Sequence, residues 1–129
     1  MDGWIKTNPI IHHDMLFLSS LKVLLLDEAT SSVDFETDQL VQRLIRQEFA
    51  DCTIFTIAHR INTIIDSDMI LVLRDGLLAE FDHPGALLSR ENSLFSGMVN
   101  ETGEASAAQL RRVALENWKK KQMREMGER

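Results

Sequence analysis

The chain has 129 residues, 44% of them hydrophobic, with a formal net charge of -6, enough apolar content for a real core and too much for a disordered chain. Its acidic body argues against general nucleic-acid binding, which needs clustered cations to displace counterions from phosphates. The single cysteine, Cys52, forms no internal disulfide, which suits a reducing compartment.

No apolar stretch approaches the about 18 residues that cross a bilayer, and Met1-Asp2-Gly3-Trp4 lacks the basic region of a signal peptide. Residues 15–26 are greasy, but Lys22 interrupts them. Charge is uneven along the chain. Through residue 103 there are 7 basic and 16 acidic residues, a balance of -9, whereas 104–129 carries 7 and 4, a balance of +3.

In chain order, residues 23–26 form a continuous apolar run, the pattern of a strand buried on both faces of a parallel sheet. Asp27 and Glu28 follow at its carboxyl end, where open α/β sheets place their ligands. Asp34 suits an N-cap, and Leu40, Val41, Leu44, Ile45 and Phe49 share one face of a helix over 35–49. A second buried strand is predicted over 52–57, with His59 just past its end.

A short helix with Ile61, Ile64 and Ile65 on one side leads to a third strand over 69–73. Asp75-Gly76 is a hairpin turn signal, and 77–81 returns as the partner strand. His83-Pro84 starts a helix, with Pro84 in the first turn, where its missing N–H costs nothing. One more short helix is predicted over 93–100.

Strand, carboxylate pair, helix, strand, histidine, helix and hairpin follow the order of parts in the second half of an ATP-binding cassette (ABC) nucleotide-binding domain. Val23-Leu24-Leu25-Leu26-Asp27-Glu28-Ala29-Thr30 resembles that family's Walker B strand, Ser31-Ser32-Val33-Asp34 its D-loop, and Ala58-His59-Arg60 its switch-histidine loop. The similarity continues through Asp66 to Asp75-Gly76 and on to Glu80-Phe81-Asp82-His83-Pro84, covering about 22–101. Intact Glu28 and His59-Arg60 make the wording most like the second domain of the multidrug-resistance-associated C subfamily.

The resemblance implies an α/β fold: a partial P-loop NTPase of the ABC type, with parallel core strands, a C-terminal hairpin and helices, incomplete on its N-terminal side. It also implies ATP and Mg2+ as ligands. Asp27 would hold the hydration shell of Mg2+, a cation that prefers octahedral oxygen ligands and keeps several waters. Glu28 would be the general base, and His59 would donate a hydrogen bond to the γ-phosphate and align the attacking water. Ser31 and Asp34 would stand at the contact with a second nucleotide-binding domain, beside the nucleotide. The partners implied are that second domain and membrane-spanning domains. The expected location is the cytoplasmic face of a membrane, or the cytoplasm if the chain is expressed alone.

Two strings expected of the family do not occur: Gly-x-x-x-x-Gly-Lys-Ser/Thr, whose amides and lysine hold phosphates, and a Leu-Ser-Gly-Gly-Gln signature. Residues 1–21 do not resemble the family. The expected organisation is therefore a divergent segment over 1–21, the nucleotide-domain half over 22–103 and a basic tail over 104–129. The expected function is an ATP-hydrolysing module of a transporter present as a fragment, inactive alone; the alternative is a non-catalytic interaction module.

Plainer readings apply elsewhere. His12-His13-Asp14 suits surface residues better than a metal site, Cys52 suits a core position, His83 a cap, and Asp66 and Asp68 the bounds of the third strand. In the tail, Leu110, Val113, Ala114, Trp118 and Met123 lie at near-helical spacing among Arg111, Arg112, Lys119, Lys120, Lys121 and Arg124. A basic amphipathic helix of this kind suits an anionic membrane surface or a partner. The plainer expectation is a solvated terminal helix, loosely packed.

Overall fold

The structure is a computed structural model that describes residues 23–27 and 34–127. Its contacts divide the chain into two compact units, Met1–His59 and Arg60–Arg129.

In the first unit, strand β1 (Val23–Asp27) pairs in parallel with β2 (Thr53–Ile57), in a register running from Val23 opposite Thr53 to Asp27 opposite Ile57. Helix α1 (Phe35–Glu48) lies between them in sequence. It begins where Asp34 leaves the extended region and its carboxylate takes the Thr37 N–H at 3.2 Å and the Thr37 hydroxyl at 2.7 Å. This satisfies one of the first-turn donors that the helix cannot satisfy itself. The helix ends at Phe49, whose N–H reaches the Ile45 carbonyl.

The strand expected to be buried on both faces is not. Side chains alternate across the pair, and the face carrying Val23, Leu25, Phe55 and Ile57 is more than half exposed, with Leu25 at 68%. Leu24, Leu26, Ile54 and Thr56 on the other face are half-buried. Leu40, Val41 and Leu44, expected on the covered face of α1, are exposed as well. An apolar run encodes a strand that needs a layer on each side, and no described element of this unit supplies the layer over Leu25 and Phe55.

The second unit opens with the short helix α2 (Ile61–Ile64) and an antiparallel hairpin, β3 (Ile70–Arg74) and β4 (Leu77–Asp82). Asp75 and Gly76 turn it with φ of 53° and 75°. Positive φ at both central positions matches the right-handed twist of the strands, and it explains the Asp-Gly pair. The expected third core strand is thus not hydrogen-bonded into the parallel pair, because β3 takes β4 as its neighbour in a separate two-stranded sheet.

Helices α3 (Pro84–Leu88), α4 (Leu94–Asn100) and α5 (Glu104–Gly127) complete the unit. The core joins Ile65, Ile70 and Val72 to Leu87, Leu88, Phe95 and Val99, and to Ala107, Leu110 and Ala114 of α5. The terminal helix is therefore not a loose appendage through Ala114. Met123 and Met126 beyond it are exposed.

Polar side chains tie these helices together. Glu80 of β4 accepts the Leu94 and Phe95 N–H groups at 2.7 and 3.1 Å, capping α4 from the hairpin. Arg111 of α5 donates to the Leu88 carbonyl, the Ser96 hydroxyl and the Asn100 amide oxygen. One guanidinium thus links α5 to the end of α3 and to α4, as its fixed fork of donors permits.

Candidate functional site

The parallel register of β1 and β2 brings two of the candidate residues to one edge. Asp27 is the last residue of β1, paired with Ile57 at the end of β2, and His59 stands two residues beyond Ile57. Both are exposed at the carboxyl ends of adjacent parallel strands, the place where α/β sheets bind ligands. Local sequence sets this directly: the first apolar run ends at Asp27, the second passes through Ala58 to His59, and the in-register pairing levels the two strand ends.

Asp34 begins α1, and its carboxylate is engaged with Thr37. The bond from the Thr37 hydroxyl, followed by that from the Thr37 N–H, holds its carboxyl below the ordinary value of 3.8. Glu28 and Ser31 lie outside the described residues, as do His12 and His13.

The chemistry of the donors fits a hydrated divalent cation. An exposed carboxylate such as Asp27 is a hard oxygen ligand, and Mg2+ is held through one or two carboxylates together with substrate phosphates and water. Among the described residues there is no group of three or more metal-ligating side chains. Also among these residues, no helix is long and apolar enough to cross a membrane.

Other cappings confirm simple sequence signals. His83 is the N-cap of α3, with Pro84 in its first turn. Trp118 stacks on the His83 ring at a centroid separation of 6.3 Å, a contact that sequence reasoning missed. Its signal was Ala114-x-x-x-Trp118, an i, i+4 pair on one helix face, opposite a glycine, Gly85, that lets the helices approach.

No protein-family model matches the chain. It is 55% identical over 93 residues to ABC transporter C family member 12 of Dictyostelium discoideum, and that match takes in 72% of this chain. It is 49% identical over 106 residues, 82% of this chain, to ATP-binding cassette sub-family C member 4 of Homo sapiens. These alignments span 7% and 8% of the length of those two relatives. Among solved structures, a bacterial Atm1-family ABC exporter with ATP bound matches with a TM-score of 0.59 and 40% identity, over 64% of this chain and 14% of that one. The parallel pair, the hairpin and the helices are thus part of an ABC ATPase fold, and the chain belongs to the C subfamily of ABC transporters, of whose nucleotide-binding domain it carries a segment.

Proposed function

We propose that this segment supplies the hydrolytic residues of an ATP site in a transporter of the C subfamily, at the position of the second nucleotide-binding domain. The observation that carries the reading is the placement of Asp27 and His59 at the carboxyl ends of two strands paired in register. Mg2+, when bound, would neutralise charge that develops during phosphoryl transfer. Asp27 would hold that ion through its water shell. Glu28 takes the proton of the attacking water, and His59 donates to the γ-phosphate and aligns the water. Ser31 and Asp34 face the second nucleotide-binding domain, and membrane-spanning domains hold the assembly at the cytoplasmic face of the membrane.

The chain carries no phosphate-gripping loop in its sequence, so most of the binding energy for a triphosphate has no source within it. The isolated chain is accordingly proposed to be inactive. Mg2+-dependent turnover by the purified chain that Glu28→Gln abolishes would overturn this. A second experiment addresses the role of the residues: residues 22–101 exchanged for the matching stretch of a C-subfamily transporter should sustain its ATPase. Glu28→Gln in that chimera should lower turnover ~10²–10⁴-fold, the range of a positioned general base. A chimera that folds but is as inactive with Glu28 as with Gln would reject the hydrolytic role.

The alternative, a non-catalytic module that acts by association, is favoured by the exposed apolar face at Leu25 and Phe55. Purified chain that binds another nucleotide-binding domain but no nucleotide would support it.

A further inference from the structure

His83 is 6% exposed, a rare place for an imidazole unless its ring nitrogens are used. Its Nδ1 accepts the Gly85 N–H at 3.0 Å. An imidazole nitrogen accepts only when it carries no proton, so this bond fixes the ring as the neutral form with hydrogen on Nε2. The same ring stacks on Trp118 of α5, with planes 22° apart. Gly85 allows the approach: a Cβ on it would lie 2.6 Å from the Trp118 Cβ and 2.9 Å from the Ala114 carbonyl oxygen. One histidine thus starts α3 and seats α5.

We infer that the junction of His83, Gly85 and Trp118 is a pH-sensitive latch, in which neutral His83 holds Trp118 of α5 against the start of α3 and protonation of its Nδ1 loosens that contact. Protonation turns the acceptor into a donor facing the Gly85 N–H, so the cap is lost and two donors oppose each other. It also places charge in a buried site.

The charged groups around the ring divide. Burial is the largest influence and favours the neutral form, Lys121 of α5 acts the same way, and Asp68 and Asp82 oppose them. Asp82 is partly spent, because its carboxylate takes the His83 N–H and pairs with Arg90. The balance holds the imidazole below its ordinary 6.5. The sign follows from linkage: below 6.5 the unfolded chain binds a proton that the folded chain refuses, so stability falls as pH drops through 6.5 and levels off below the lowered value. Above 6.5 both states are neutral and the latch adds no pH dependence.

The test uses the full chain. An imidazole titration followed by NMR should place His83 below 6.5, with hydrogen-exchange protection of the Gly85 amide lost over the same range. His83→Asn keeps a capping oxygen without a titrating group. Between pH 7.5 and 5.5 the melting temperature of the unmodified chain should drop further than that of His83→Asn. An imidazole that titrates at or above 6.5, or an equal pH dependence in both proteins, overturns the latch. The titration needs no variant, so it decides the matter even if His83→Asn fails to fold.

Discussion

At Gly85 two residue-scale effects compete. Alanine there would gain helix propensity, about 1 kcal/mol over glycine, but its methyl would meet the Trp118 Cβ at 2.6 Å and the Ala114 carbonyl oxygen at 2.9 Å. Neither neighbour is the flexible end of a side chain, so the helices must move apart. Overpacking of this kind costs about 1–3 kcal/mol, and the clash wins. Gly85→Ala should lower the melting temperature by several degrees, at ~4–8 °C per kcal/mol for a unit of this size. In a Trp118→Ala background the penalty should shrink only in part, because the Trp118 Cγ at 3.0 Å is gone while the position-118 Cβ and the Ala114 carbonyl oxygen remain; a penalty that vanishes in that background would place the strain in the indole ring rather than in the approach of the helices.

At the scale of elements, α1 rests on Asp34. Its carboxyl is held below 3.8, first by the Thr37 hydroxyl and then by the Thr37 N–H, so the cap contributes above that value and is lost as pH falls through the lowered one. Acid titration should therefore reduce hydrogen-exchange protection of the Thr37 amide in the native sequence. Asp34→Asn should keep the helix and flatten that titration, since an amide oxygen caps without ionising; Asp34→Ala should lose protection at every pH. A titration unchanged in Asp34→Asn would show that another group governs the helix start.

Such starts were legible because caps are local. Asp34, Asp75-Gly76, Ser93 and His83-Pro84 each announce a boundary within four residues, and the structure starts or turns an element at each. At the candidate site, the placement of Asp27 and His59 followed from where two apolar runs end. What failed depended on partners distant in sequence. The apolar runs at 23–26 and 53–57 specify strands, yet nothing in them states whether a covering layer is present, and Leu25 and Phe55 are exposed. The seating of α5 was hidden for the same reason, since the contact between Trp118 and His83 spans 35 positions.

For the whole molecule, the apolar surface left open sets the behaviour in solution. Val23, Leu25, Phe55 and Ile57 stand together on one face of the parallel pair, each more than half exposed, and Leu71, Leu73 and Phe81 are half exposed or more on the hairpin. Patches of this kind mark interaction surfaces or aggregation liabilities, and among the described residues each sheet has two strands, with an outer edge on each that no described strand pairs. Covering the first four side chains is worth about 1 kcal/mol each, since full burial of such a group gives ~1.5–3 kcal/mol and part of each is already covered. The chain should therefore self-associate with rising concentration in sedimentation velocity. Leu25→Lys with Phe55→Glu replaces half of that face by opposite charges on neighbouring strands, so the strand pair keeps a favourable contact while the surface becomes polar. The expected loss of about 2 kcal/mol weakens association roughly 30-fold. A native sequence that stays monomeric and melts in one sharp transition would mean that this face is covered in solution, since an open face of this size would drive the association that was not seen.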